Sequence, residues 1–470
     1  MKNIFLTILL ATGISFGQTF NWAASSGGKH DDQGKSICAD ANGNYFVAGN
    51  FESNSINFGS ITLKNSDTSK RHSDAFLVKY DAGGKVLWAV SGKGKADERI
   101  NSICADKEGN CYVTGYFESP TATFENKTLT NTGKDTNRLS ADLFILKYDS
   151  NGKLLLALSG GGDFNDIGNS ICVDANGNFY VTGMCSSNPR FGTQTIKTYT
   201  GGILVAKYNS NGNVLWAKCT GGPNENSGQS ICMDANGNCF VTGIFHSLSV
   251  SFGTFKLKNF TSNTGDLFVA KYDSTGKVLW ANSAGGLNDD TGFGICLDKN
   301  GNCFVSGSFL SLKFNIGKDT LRRTEYHDDL FIAKYDGNGK PLWASTASGT
   351  GDDESYGMCL DAKGNCLITG YFHNSKINFG TVTLTNENGN SDVSDLFITK
   401  YDSNGKVLWA CNTDSGGDIT AKSICIDSNE NILVTGFFEG KEIEFGTVQL
   451  INSSTQEKNE DVFIVKLKNH

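Results

Sequence analysis

Proline is nearly missing from this chain, at 4 residues in 470. Long apolar runs are missing too: beyond the first sixteen residues no helix-period stretch reaches a dozen. That excludes a helical bundle and leaves no segment long enough to cross a bilayer as a helix. No cluster of lysine and arginine occurs, and the formal net charge is −8. Nucleic acid and anionic membrane surfaces demand a basic footprint, so neither is an expected partner. Histidine is scarce, at 6 residues, and no cysteines stand in the close spacing of a zinc site. Acid–base chemistry needs groups that converge on one substrate, and no such set emerges from the spacing. Glycine is plentiful, at 56 residues, together with Asn, Asp, Ser and Thr. This is the composition of many short strands joined by tight turns.

The N-terminus reads as an export signal. Lys2 supplies the positive start, Ile4 to Phe16 the apolar stretch, and Ser15 and Gly17 the small residues before a cleavage ahead of Gln18. The expected organisation is a signal over 1–17 and one repeat domain over 18–470, exported to the periplasm, cell surface or medium.

A stretch like "SICAD" begins at Ser36 and returns at Ser102, Ser170, Ser230, Gly294, Gly357 and Ser423, seven units in all. Each unit opens with a hairpin around a "DANGN" turn, as in "SICADANGNYFVAGNF" at 36–51. A variable stretch with an "FGxxxL" element follows, such as "INFGTVTLTN" at 377–386. Then come a second hairpin, "DLFVAKYDSTGKVLWA" at 266–281, and a connector such as "GGLNDD" at 285–290. Four antiparallel strands, repeated seven times, predict an all-β, seven-bladed β-propeller with a short ribbon between the second and third strands. The last unit ends after its third strand, "DVFIVKL", whereas the chain begins with an orphan "FNWA" at 20–23. Surplus and deficit match, so the strand of Trp22 is expected to pair with the strand of Phe463 and close the ring. An open array would need polar capping repeats, and none is visible. Pro341 opens a fourth strand, the outer edge, where a missing N–H is tolerated.

The run "GG…DD…GxSICxDxNGNxYVTGxF" followed by "DxFxxKYDxxGKVLWA" resembles the bacterial SBBP β-propeller repeats of exported and cell-surface proteins. The likeness covers about residues 18–470, with Cys where that pattern has Ala in the first strand. It implies a non-catalytic propeller used for binding or scaffolding, and it offers no catalytic residues to carry over. The tryptophan-docking repeats of quinoprotein dehydrogenases are also similar to "YDSTGKVLWA". Here the spacing from Asp273 to Gly276 is one residue short and no adjacent cysteine pair is present, so no quinone, and no other cofactor, is expected.

Of the 14 cysteines, Cys38, Cys104, Cys172, Cys232, Cys296, Cys359 and Cys425 take one slot per first strand. There they are expected to be small packing residues. Cys111, Cys239, Cys303 and Cys366 share a slot with Tyr45, Phe179 and Ile432 and are read the same way. Any disulfide would draw on Cys185, Cys219 or Cys411. The turn carrying Asp40, Asn42 and Asn44 begins like a Ca²⁺ loop, but its twelfth position is Phe51 instead of Glu. A type I turn closed by glycine explains it without metal.

The connectors carry Asp31, Asp32, Asp97, Glu98, Asp163, Asp166, Asp289, Asp290, Asp352 and Asp353. They are expected to ring one mouth of the central channel, either capping glycine-rich turns or weakly binding a divalent cation or cationic ligand. His246 and His373 share the slot just after the second strand, which Glu52, Glu118 and Glu439 fill elsewhere. The reading that follows is a monomeric binding or scaffold propeller for a protein or a glycan. The alternative is a hydrolase or lyase on the same frame.

Overall fold

Turn chemistry and alternation fold each repeat into two hairpins laid side by side. The computed structural model describes residues 19–469 except 70, 134–139, 199–200, 262, 324, 374, 387–392 and 455–457. The expected signal at 1–17 lies outside the described residues. In the fourth blade, strands a to d are Asn226–Met233, Cys239–Phe245, Asp266–Tyr272 and Val278–Ala284, paired antiparallel in that order. Strands a of the seven blades are Asp32–Ala39, Glu98–Ala105, Ile167–Val173, Asn226–Met233, Asp290–Leu297, Asp353–Leu360 and Ile419–Ile426. Strands c begin at Asp74, Asp142, Gly202, Asp266, Asp329, Ser394 and Asp461. The chain is a seven-bladed β-propeller, and no helix long and apolar enough to cross a membrane occurs among the described residues.

The ring closes through its ends. Phe20–Ser26 is strand d of the seventh blade and pairs antiparallel with Asp461–Lys468, Trp22 opposite Lys466 and Ser25 opposite Phe463. Trp280 stands opposite Lys271 in the fourth blade, so Trp22 holds the expected slot. It is half-buried, however, and its Nε1 finds no partner among the described residues.

The repeated residues are chiefly joints between blades. Ile37 packs against Leu433 of the seventh blade, while Cys38 faces Ile103 and Val113 of the second. The strand-a cysteines are therefore packing residues, and their thiols are free. Cys185 and Cys219 form the disulfide, beside Gly202. Ser36 Oγ accepts the Ile103 N–H (3.2 Å), and Ser102, Ser170 and Ser423 repeat this stitch to the next blade.

The "KYD" lysine is a second joint. Lys79 Nζ sits 3.2 Å from Asp40 Oδ2 and 4.7 Å from the Phe46 ring centre, and it donates to Ser150 O in the following blade (3.2 Å). Trp88 Nε1 donates to the same carbonyl (3.1 Å). Asp40 Oδ1 also accepts the Asn42 and Asn44 N–H groups, so protein donors account for the turn. Burial alone would raise the equivalent Asp298, yet the Asn302 amide and Lys334 hold its carboxyl below the ordinary range.

The turn glycine serves the same joint. Gly276 has φ +84°, and a Cβ there would lie 2.8 Å from the Trp216 indole of the preceding blade. Gly276→Ala is therefore expected to cost about 2 kcal/mol, from strain and displaced packing together. Equilibrium denaturation should show it, and a neutral result would remove the docking role.

One residue per strand a escapes the ladder. A bulge in each blade, such as that between Gly34 and Ser36, leaves Lys35 and its equivalents unpaired. These residues line the central channel.

Candidate functional site on the loop face

The connectors from d to the next a and those from b to c open on one face. Backbone bonds tie them together: Glu52 N–H donates to Asp31 O (2.9 Å) and Asp32 N–H to Glu460 O (2.8 Å). The acidic doublets of the connectors then divide into two classes with different surroundings.

The first member caps the chain ahead of strand c in the preceding blade. Asp97 Oδ1 accepts the Ser73 N–H (2.9 Å), Asp289 the Gly265 N–H (2.6 Å) and Asp352 the Asp328 N–H (3.1 Å). Asp31 does the same for Glu460 (3.3 Å). In the third blade the slot belongs to Asn165, which accepts the Ala141 N–H (3.1 Å). Asp163 lies two residues earlier, outside the ring where the sequence had put it.

The second member leaves the face altogether. Asp32, Glu98, Asp166, Asp290 and Asp353 are 0% exposed, so their expected place on a ligand face is corrected. Each is buried at a junction beside the acid opening the neighbouring strand c: Asp461, Asp74, Asp142, Asp266 and Asp329 in turn. Burial, and then repulsion by that partner, pushes Asp32 and Asp290 to about 8 and Glu98 and Asp353 to about 9. Burial likewise raises Asp166 and Asp266 to about 7 and Asp74 and Asp142 to about 6. Two buried carboxyls at close quarters cannot both ionise, so each pair keeps a proton near neutrality. The "GG…DD" pattern follows from this packing. A side chain at Gly161 or Gly285 would collide with Asp142 or Asp266, and the Gly162 N–H donates to Asp166 Oδ2 (2.7 Å).

The histidines also resolve into clasps. His246 Nε2 lies 3.6 Å from Asp289 Oδ1, His72 Nδ1 lies 3.6 Å from Asp97 Oδ1, and His327 Nδ1 lies 3.3 Å from Asp352 Oδ1. Each of these carboxylates already accepts a backbone N–H. His373 packs against Tyr371 with the rings tilted by 53° and their centres 5.4 Å apart. Burial, and then repulsion by Asp418, pushes Glu439 up to about 7. Among the described residues no three His, Cys, Asp or Glu gather as a metal site, and the first-member carboxylates act as separate caps of the turns.

Sequence reasoning missed the apolar side chains on these loops. Phe164, Leu248, Phe260, Leu287, Leu312 and Tyr326, and Ile451 at the end of the ribbon strand Val448–Ile451, stand out into solvent, Tyr326 at 75% exposure. Their signal was large apolar residues inside otherwise polar connectors. The only other large exposed apolars among the described residues are the strand-d leucines such as Leu87 and Leu279, which follow the outer rim.

No family model matches the chain. It is similar to a WD repeat-containing protein of Acanthamoeba polyphaga mimivirus, 25% identical over 526 residues, covering 92% of this chain and 37% of that one. It is also similar to regulatory protein FlaEY of Caulobacter vibrioides, 28% identical over 177 residues, covering 37% of this chain and 18% of that one. The chain thus spans little more than a third, or less, of these relatives' own length. Among solved structures, the Pan2 WD40 domain of Neurospora crassa aligns over 93% of this chain and 90% of its own, with TM-score 0.43 and 9% identity. Hydrazine synthase of Kuenenia stuttgartiensis aligns over 85% of this chain and 92% of its own, with TM-score 0.43 and 9% identity.

Proposed function

We propose that this chain is a non-catalytic scaffold that binds another protein on its loop face. The observation carrying this reading is the set of exposed apolar residues on the connectors of that face, Leu287 and Tyr326 foremost. Variable loops on a rigid frame, with apolar anchors inside a polar rim, are the chemistry of a protein interface. Similarity to a WD repeat-containing protein supports it, since such propellers generally bind proteins. An enzyme is less well supported, because the paired acids are buried away from any substrate and the histidines serve capping aspartates. We further propose that the chain is exported as an SBBP-type repeat protein and is monomeric by itself. The signal-like N-terminus supports export, as does the Cys185–Cys219 disulfide, which suits an oxidising compartment.

The test compares pull-downs from native surface extract using the wild type, a loop-face variant (Leu287→Asp with Tyr326→Asp) and a rim variant (Leu87→Asp with Leu279→Asp). Specific capture should be lost in the first variant and kept in the second. Equal capture by all three would overturn the loop-face assignment.

A further inference from the structure

The central channel is asymmetric, and the asymmetry has the form of a ligand site. The seven bulge residues line an open cavity of ≈ 250 Å³ in the channel. On one side they serve the fold. Asn101 Nδ2 donates to Gly168 O (3.0 Å), and Asn169 Nδ2 donates to Ser227 Oγ and Gly228 O (2.9 Å each). Together with the Ser36, Ser102 and Ser170 stitches, they bind each strand a to the next.

In the fifth and sixth blades both stitching residues are exchanged at once. The pairs there are Phe293-Gly294 and Tyr356-Gly357, and the two rings pack at 5.3 Å. A departure from the structural pattern in adjacent blades marks a place where something other than folding sets the residues. Next to them stand two ammonium groups from neighbouring blades. Lys422 Nζ lies 3.4 Å from the Tyr356 ring centre, and Lys422 and Lys35 each lie 5.6 Å from that of Phe437.

Neither lysine makes an ion pair within 4.0 Å among the described residues. The nearby carboxylates are already engaged: Glu460 accepts from Gln33 Nε2, and Glu354 lies against the Tyr356 and Tyr371 hydroxyls. Burial, and for Lys422 also the charge of Lys35, lowers Lys35 to about 8 and Lys422 to about 7, against the weaker pull of Glu460 on both and of Glu354 on Lys422. Two half-buried cations side by side, against aromatic faces and with Glu460 and Glu354 acting on them only from beyond ion-pair distance, form an incomplete arrangement. Desolvated charge is costly until it is paired.

We propose that the channel binds a small molecule bearing one carboxylate, seated between Lys35 and Lys422 with its apolar portion against Phe293 and Tyr356. A single charge suits the site better than a multiply charged anion, because the loop-face mouth is ringed by Asp31, Asp97, Asp289 and Asp352. The cavity is below the 300–1,000 Å³ of sites for drug-sized ligands, which fits a compact organic acid. This reading goes beyond protein docking on the loops and stands or falls independently of it.

The test is calorimetric titration of the folded protein near neutral pH with benzoate as the probe, beside benzamide and inorganic phosphate. Benzoate should bind, benzamide should not, and Lys35→Met and Lys422→Met should each weaken benzoate at least tenfold. Binding of phosphate as tight as benzoate would overturn the carboxylate assignment. Absence of benzoate binding, or equal binding by the lysine variants, would overturn the site. A second readout needs no ligand: Lys422→Met should melt higher than the wild type, because an uncompensated charge is gone. A lower melting temperature would mean that the ammonium has an internal partner, and that would sink the proposal.

Discussion

Deleting residues 18–26 should turn a stable protein into one that aggregates or melts far earlier. The deletion removes the whole outer strand of the seventh blade and strips the backbone partners from Asp461–Lys468. It also removes Trp22, which stacks on Tyr45 with centres 5.5 Å apart, and Phe20, which lies 5.7 Å from Phe445. Trp22 is half-buried, so its own share is about 2 kcal/mol, below the roughly 3–5 of a fully buried tryptophan. The lost ladder and the exposed faces of the first and seventh blades bring the total to a large part of the 5–15 kcal/mol a domain commonly has. Truncation after Leu467 is the control. It removes the Lys468 N–H bond to Thr19 O (3.0 Å) and the Asn469 oxygen that accepts from Lys400 Nζ (2.7 Å), but the pairing from Phe20 to Ser26 stays and Asp361 at 3.0 Å still pairs that lysine, so about 1–2 kcal/mol is expected. Thermal melts of the two truncations decide the matter. An unchanged melting temperature after the 18–26 deletion would mean that the ring does not close through its ends.

The second large effect is a loss of stability as pH rises. Asp32, Glu98, Asp290 and Asp353 titrate at about 8 to 9 in the fold, against about 4 in an unfolded chain. A raised folded value gives stability that is complete below the unfolded value and is lost as pH climbs through the folded one. Each such group costs about 1.4 kcal/mol per pH unit within that window, so several kcal/mol should disappear between pH 5 and 9. Lys35 and Lys422, whose values are lowered, oppose this, but they are two groups against five pairs. The fourth blade shows the remedy, since Asn226 fills this slot and is fully buried. Asp290→Asn with Asp353→Asn should therefore flatten the alkaline limb. Urea denaturation at pH 5, 7 and 9 provides the measurement. Stability that held level or rose over that span would defeat the shared-proton account.

The architecture was legible because each repeat carries its own turns and joints. "DANGN" and "DSTGK" name two hairpins, and the matching of "FNWA" with the unfinished last unit gave the closure. The doublets were harder. Asp31 and Asp32 look alike in the sequence, yet one caps a loop and the other is sealed between blades, because successive strand residues face opposite ways. Asp163 misled because counting acids ignores register, and Asn165 holds the slot. The channel lining was invisible for a related reason. A bulge after Gly34 turns Lys35 inward, and no local residue pattern distinguishes that from regular pairing. Leu287 and Tyr326 were legible only as oddities, since exposure belongs to the folded surface.

The closing bond has a mechanical consequence. Thr19 O and Lys468 N meet at 3.0 Å, at the end of the seventh blade opposite the loop face. A tether joined at either end would leave from the turn side and hold the loops facing away from its anchor, as a stem holds a dish. Tension applied to both ends at once would act across the first pair of an antiparallel ladder and part its bonds one after another. Held by one end, the ring carries no load; stretched between two, it would open like a zipper from Thr19.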